Sequence, residues 1–145
     1  SIVDKYMPFL NKKVNEYLEK LNFNIILNID KEFNIDIVSP DRKGQSIIDL
    51  SSGQLRRIDL AVMLAWRDIG MSVSSLSTNL LILDETLENL SAQGVADFIE
   101  MFRSNFSNIS LFVISQRENE FKEYFDNHIH LVCDSEGFTK IENEK

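Results

Sequence analysis

Two adjacent carboxylates follow a short apolar run near the middle of the chain. The run covers residues 80–83 and is followed at once by Asp84 and Glu85. Such a run is typical of a parallel strand covered on both faces, and ligands bind at the carboxyl ends of these strands. One acid there can hold Mg²⁺ through water, and its neighbour can polarise an attacking water molecule, as nucleotide hydrolysis requires. The alternative is a strand that simply ends in exposed acids.

A second candidate site is a turn of small residues before a long helical pattern. Its residues are Leu50, Ser51, Ser52, Gly53 and Gln54. Small residues let backbone N–H groups approach a ligand, and a helix N-terminus carries a partial positive charge, so the turn can bind a phosphate. The alternative is an ordinary capped helix start, since Ser and Gly are favoured there in any case.

The elements that must position these residues follow from hydrophobic periodicity. A helix over residues 55–69 should be buried nearly all round, with Trp66 in the core. Ser91 is predicted to cap a helix with a core stripe of Phe98, Phe102 and Phe106. A second buried strand over residues 111–114, a polar turn over 115–118 and a short helix near 120–125 follow. This alternation predicts an α/β fold with a parallel sheet and right-handed crossovers.

The flanking segments predict a helix and two hairpins. From Pro8 to Leu21 the apolar spacing is that of a coiled-coil seam or of an amphipathic helix packed on its own domain. Residues 23–29 and 33–38 alternate apolar with polar side chains as a hairpin, and residues 46–50 are predicted as a short strand. A closing hairpin is predicted from residues 129–132 and 138–141 around Gly137.

Composition limits the classes of function. The chain has 145 residues, enough for one packed domain, and a net charge of −8, which argues against a free-standing nucleic-acid clamp. Cys133 is the only cysteine, and its apolar surroundings predict a buried reduced thiol in an intracellular protein. His128 and His130 lack suitable metal-ligating neighbours and are expected on a surface face. We expect a cytoplasmic protein with no membrane span, and the start at Ser1 suggests a piece of a longer protein.

The turn and the acidic strand occur together, in the order turn, buried helix, acidic strand, capped helix, strand and polar turn. In this order the sequence resembles the C-terminal lobe of an ABC-type P-loop ATPase head. More narrowly it resembles the SMC-like repair ATPases, the group that includes the large subunit of the bacterial SbcCD nuclease. The resemblance covers nearly the whole chain. It implies that residues 1–22 end a returning coiled-coil helix and that residues 23–145 form the lobe.

The resemblance implies roles for individual residues at an ATP and Mg²⁺ site. Leu50, Ser51, Ser52, Gly53 and Gln54 match the signature loop, called here the signature turn, in which Ser51 and Gly53 would touch the γ-phosphate of an ATP bound mainly to the opposite head. Ser52 replaces the usual glycine. Asp84 matches the acid linked to Mg²⁺ through water, and Glu85 matches the catalytic glutamate.

Three further matches depart from, or add to, the family pattern. Arg57 matches a recurrent basic residue of the signature helix. Leu90, Ser91 and Ala92 fall at the dimer-contacting D-loop, with Ser91 in place of the usual Asp. Gln116 falls where most members carry a switch histidine; its amide can donate a hydrogen bond to a γ-phosphate but cannot take a positive charge.

The absence of a phosphate-loop motif from this sequence implies that another segment supplies it. The chain has no G-x-x-x-x-G-K-[ST] phosphate loop, so the cradle for the β- and γ-phosphates must come from an N-terminal Walker A lobe, and the chain alone should not hydrolyse ATP. The resemblance also implies a second head, a metallophosphatase-type nuclease near the base of the coiled coil, and DNA. Alternatives are an SMC-type structural DNA clamp without a nuclease and, less well supported, a transporter ATPase.

Overall fold

Helices and strands alternate along the chain in the computed structural model, which describes residues 2–74 and 77–142. The elements are α1 (Ile2–Lys20), β1 (Leu27–Ile29), β2 (Ile35–Ile37), α2 (Ser52–Val73), β3 (Leu80–Asp84), α3 (Ala92–Asn105), β4 (Ser110–Ile114), α4 (Glu118–Phe121), β5 (His130–Cys133) and β6 (Thr139–Glu142). Short 3₁₀ turns lie at Pro40–Arg42, Ile47–Asp49 and Lys122–Tyr124.

The core lies where α1 packs against α2. Leu10 and Val14 of α1 are fully buried, as are Leu60 and Leu64 of α2. Tyr17 adds a polar tie, because its hydroxyl donates to the Asp68 carboxylate at 2.8 Å. The apolar seam of α1 therefore packs within this chain, which agrees with the alternative of an amphipathic helix packed on its own domain.

Two asparagine side chains of α1 form hydrogen bonds with the backbone of β1 in the first hairpin. β1 pairs with β2 antiparallel on one edge. On its other edge, Asn11 donates to the Ile29 carbonyl at 2.9 Å and accepts from the Ile29 N–H at 2.7 Å. Asn15 does the same for Leu27, at 2.9 Å and 2.8 Å. Each side-chain amide thus satisfies both backbone groups of one residue, and the hairpin is fixed on α1.

The predicted parallel sheet is present as the pair β3 and β4, joined through α3. The register places Ile82 opposite Phe112 and Leu83 opposite Val113. The prediction that β3 is covered on both faces is wrong for the described residues, because Ile82 is 56% exposed and Phe112 is 53% exposed. Only the face that carries Leu83 packs on the core. Within residues 2–74 and 77–142, β5 pairs with β6 in a separate hairpin rather than with β4.

Three other predictions need correction. Residues 46–50 form no strand; they contain the 3₁₀ turn Ile47–Asp49, which Ser46 and Asp49 close by reciprocal capping hydrogen bonds. Cys133 is exposed, because its hairpin packs little against the rest of the described chain. Trp66 is 39% exposed and lies against Phe33, so it is at the edge of the core.

The other elements agree with the sequence, with shifted ends. α1 begins six residues before Pro8, and α2 extends to Val73, four residues beyond the predicted helix over residues 55–69. The core position of the phenylalanine stripe is confirmed for Phe98 and Phe102, whereas Phe106 follows the end of α3 and is only partly buried. No helix among the described residues is long and apolar enough to cross a membrane.

The asparagine contacts lead to a stability prediction. Asn11→Ala and Asn15→Ala each leave one N–H and one C=O of β1 without a partner, so each should lower the free energy of unfolding by about 1–3 kcal/mol. Lys12→Ala is the matched control on the solvent side of the same helix, where the Lys12 side chain is 72% exposed. Urea unfolding of the three variants would contradict the proposed role of the asparagines if all three lost stability equally.

Candidate functional site

The signature turn is built as a capped helix start. Ser51 is the N-cap of α2: its hydroxyl accepts from the Gln54 N–H at 3.2 Å, and the Gln54 side chain accepts from the Ser51 N–H at 2.9 Å. The side chains of Ser51 and Ser52 are exposed, whereas Leu50 is buried. The first N–H groups of a helix have no acceptor within the helix itself. The helix start can therefore be capped by Ser51 and still offer other N–H donors to an anion.

Gly53 brings the signature turn against the loop that follows β3. A Cβ added at Gly53 would lie 3.3 Å from the carbonyl oxygen of Asn89. We call residues 85–91 the acidic loop. Because the turn touches this loop, the two motifs that the sequence singled out lie at the same end of the fold. A larger residue at position 53 would require one of the two segments to move.

Asp84 and Glu85 end β3 in a constrained geometry. Asp84 pairs with Ile114 in the register and has an exposed side chain. Glu85 has a φ of 50°, in the left-handed region, and its N–H donates to the Ile114 carbonyl at 2.9 Å. A non-glycine residue in that region costs of the order of 1 kcal/mol or more and persists only where surrounding contacts hold it. This left-handed conformation ends the extended path of β3, whose last residue is Asp84.

Gln116 holds the Glu85 carboxylate. Its side-chain amide donates to Glu85 Oε1 at 2.7 Å across 31 positions of sequence. The sequence analysis assigns Glu85 and Gln116 to the nucleotide site independently, and the structure brings their side chains into contact. Gln116 follows β4 as Glu85 follows β3, so the parallel pairing of the two strands is what positions the contact.

Asp84 is the acid that the sequence predicts to bind Mg²⁺ through water, and its side chain is exposed. Its carboxylate is exposed at a strand end, next to the acid that Gln116 holds. No group of three or more His, Cys, Asp or Glu side chains in the described part of the chain could hold a metal unaided. A cation here would therefore need water and phosphate oxygens as further ligands, which is how Mg²⁺ binds at nucleotide sites.

The D-loop match at Leu90, Ser91 and Ala92 is a helix start. Ser91 caps α3 by accepting from the Gly94 N–H at 3.1 Å, and Leu90 is buried beneath it. Ser91 thus supplies the cap that the usual Asp could also supply. Ala92 opens α3 and is exposed.

Arg57 joins a buried polar network that the sequence did not predict. Its guanidinium lies 3.2 Å from the carboxylate of Asp97, which is only 4% exposed. The same carboxylate accepts from Asn22 at 2.9 Å and from Gln93 at 3.0 Å. The network therefore links the end of α1, the signature helix α2 and α3. Gly94 leaves room for the Arg57 guanidinium, because a Cβ at position 94 would lie 3.2 Å from Arg57 Nη2.

The pKa of Asp97 is lower than usual in the folded chain. Burial alone would raise it, but the hydrogen bonds from Gln93, Asn22 and Arg57, together with the Arg57 charge, outweigh burial. The one sequence signal for this residue was an acid next to Phe98 on the apolar stripe of α3. The contacts that Glu88 and Arg117 make between the segments after β3 and β4 carried no sequence signal, because those segments are distant along the chain.

Solved structures define the class of fold. A structure from work on ATP-driven dimerization and DNA-stimulated activation of SMC ATPases superposes with a TM-score of 0.74 at 15% identity, covering 99% of this chain and 88% of that one. The SMC head domain from Thermotoga maritima gives 0.65 at 22% identity, covering 99% of this chain and 50% of that one. The chain has the fold of an SMC ATPase head.

Curated relatives narrow the class. The chain is 35% identical over 125 residues to exonuclease subunit 2 of Enterobacteria phage T4, covering 86% of the chain and 22% of the relative. It is 33% identical over 124 residues to exonuclease subunit 2 of Escherichia phage RB69, covering 86% and 22%. No family model matches it. The chain is similar in sequence to these phage exonuclease subunits and spans about a fifth of their length.

The Asp97 network leads to a pH prediction. Asp97→Asn should lower the free energy of unfolding at neutral pH by about 1–3 kcal/mol, because a buried charge-assisted network loses its anion. Since folding lowers the Asp97 pKa, the stability it supplies is present above the unfolded pKa and is lost as pH falls through the folded pKa. The difference between wild type and variant should therefore shrink below about pH 4.

The measurement is urea unfolding of both proteins between neutral and acid pH. Asp59→Asn is the control, since Asp59 sits on the exposed side of α2 and pairs with Arg56 at 3.6 Å. A constant difference between wild type and Asp97→Asn across this range would show that the Asp97 charge contributes nothing.

Proposed function

We propose that this chain is the C-terminal lobe of an ATP-driven head that controls a partner nuclease in DNA end processing, recombination and repair. The observation that carries the proposal is the contact between Glu85 and Gln116 at the ends of two parallel strands, beside a loop that packs on Gly53. Homology to phage exonuclease subunits supports the nuclease complex. For a phage protein the place of action is the host cytoplasm.

In this proposal four side chains have separate roles in ATP hydrolysis. Glu85 accepts a proton from a water whose oxygen bonds to the γ-phosphorus while the bond to the bridging oxygen breaks, leaving ADP and phosphate. Gln116 orients the Glu85 carboxylate and can donate to the γ-phosphate. Asp84 would hold Mg²⁺ through water, and the ion would neutralise phosphate charge. Ser51, with the rest of the signature turn, serves an ATP bound to a second head.

The uncovered face of the strand pair supports a separate Walker A lobe. Side chains alternate along a strand, so Leu80, Ile82 and Asp84 share one face of β3, and Phe112 and Ile114 of β4 lie beside them. The four apolar side chains on this face are all more than 40% exposed. A contiguous apolar patch beside a functional acid marks a surface that another segment covers. We infer that the lobe with the phosphate loop packs there and reaches Asp84.

The remaining proposed partners are DNA and a nuclease. A net charge of −8 means that DNA contact must be local or supplied by another subunit. We propose that α1 continues the base of a coiled-coil arm and that a metallophosphatase-type nuclease binds near it. The second candidate is a structural DNA clamp of the SMC type, which the fold likeness to SMC heads favours. Copurification of the complete protein with a nuclease would separate the two.

Glu85→Gln tests the catalytic assignment. In the complete ATPase, the variant should bind ATP normally, hydrolyse it at least about 100-fold more slowly and accumulate as head dimers, because the amide cannot accept a proton from the attacking water. Glu100→Gln, an exposed change on α3, is the control. Steady-state turnover, nucleotide binding and size-exclusion chromatography give the answer, and normal turnover in Glu85→Gln would remove Glu85 from the catalytic role.

Gln116 leads to a prediction about activation. Because its amide stays neutral, we expect weak ATP turnover by the complete head alone and a rise when nuclease partner and DNA are added. ATPase assays with and without these additions measure the effect. Full basal activity that DNA leaves unchanged would contradict the expectation.

A further inference from the structure

Arg117 binds the backbone of the acidic loop. Its Nη1 donates to the carbonyl oxygens of Glu88 and Leu90, both at 2.8 Å, and lies 3.4 Å from the carbonyl of Leu87. These carbonyls belong to the loop that starts at Glu85 and touches Gly53. A single guanidinium group thus fixes the path of the chain between the acid and the signature turn.

The acidic loop binds back to the segment that carries Arg117, which we call the Gln116 turn (residues 115–117). The Glu88 carboxylate accepts from the Ser115 hydroxyl at 2.5 Å and from the Gln116 N–H at 3.3 Å. The Ser115 hydroxyl in turn accepts from the Arg117 N–H at 2.9 Å. Each segment therefore supplies both a side chain and backbone groups to the other, so neither can shift alone.

Arg117 is itself held in place. Its second amino group pairs with Glu120, and its guanidinium lies over the Phe121 ring, 5.2 Å from the centroid. Phe121 is only 5% exposed, so the ring is part of the core. A guanidinium fixed on two sides loses little freedom when it binds carbonyls, which makes it suited to setting a loop position.

We propose that Arg117 is a positioning residue that couples the Gln116 turn to the acidic loop and, through Asn89 and Gly53, to the signature turn. The inference rests on the proposed function, because it assigns Arg117 to the geometry of the ATPase site. Its consequence is that the Glu85 carboxylate and the Gln116 amide keep their 2.7 Å contact only while Arg117 holds the loop. Arg117 needs no contact with nucleotide, so its loss should change the rate of hydrolysis and spare ATP binding.

The test is steady-state kinetics of the complete ATPase with Arg117→Met, Arg117→Lys, Glu88→Ala and the double variant Arg117→Met/Glu88→Ala. Arg117→Met should lower kcat about 10- to 100-fold, the effect expected of a small misplacement of catalytic groups, with little change in KM for ATP. Arg117→Lys should recover part of kcat, because an ammonium group can still reach one carbonyl. The double variant should lose no more than the worse single variant, since both changes break one unit.

The matched control is Arg103→Met. Arg103 also donates to a backbone carbonyl, that of Tyr124 at 2.7 Å, and Tyr124 belongs to neither the acidic loop nor the Gln116 turn. The proposal is overturned if Arg117→Met keeps kcat, if it loses no more than Arg103→Met, or if the losses of Arg117→Met and Glu88→Ala multiply. Circular dichroism checks folding, and should Arg117→Met fail to fold, an unchanged kcat in Glu88→Ala overturns the proposal by itself.

Failure of the proposed function gives a different result. In that case the wild-type protein would lack ATP turnover, or Glu85→Gln would turn over normally. Active wild type, inactive Glu85→Gln and fully active Arg117→Met would reject the coupling by Arg117 and leave the ATPase assignment intact.

Discussion

The left-handed backbone of Glu85 is the constraint on which the site depends. An acid at the end of a buried strand would ordinarily continue along the strand direction, and a φ of 50° redirects it at a cost in free energy. The hydrogen bond from its N–H to Ile114 and the side-chain bond from Gln116 are what hold it there. Both partners lie on or just after β4, so the strained residue is maintained by the neighbouring strand.

Buried polar groups connect this end of the lobe to its helices. Asp97 receives hydrogen bonds from Asn22, Gln93 and Arg57, which lie on or beside three different helices. A buried carboxylate is tolerated only when it is paired in this way, and the pairing then fixes how the helices sit relative to one another. The lobe thus combines an apolar core between α1 and α2 with a polar network that sets the position of the signature helix.

Local patterns sufficed to identify the helices, although α1 and α2 extend beyond their predicted ends. Ser91 was predicted as a cap from its place before an apolar stripe, and the structure confirms it. Residues 46–50 were predicted wrongly, because a five-residue segment is too short for its periodicity to distinguish a strand from a capped 3₁₀ turn. The contact between Gln116 and Glu85 could not be predicted, since it depends on the parallel register of two distant strands. Cys133 and Ile82 were expected to be buried because they lie in apolar runs. Both are exposed, because an apolar run does not reveal which face of its strand is covered.

The exposure of Ile82 has a physical reason that connects the fold to the chemistry. Alternation along β3 puts Ile82 and Asp84 on the same face, and the described residues cover only the opposite one. A segment that buries Ile82 and Phe112 must come within reach of Asp84, because the three side chains lie on adjacent positions of one sheet surface. The burial of apolar area that completes the sheet would therefore also assemble the nucleotide site. In the proposed head, stability and catalytic competence would then be gained in the same step.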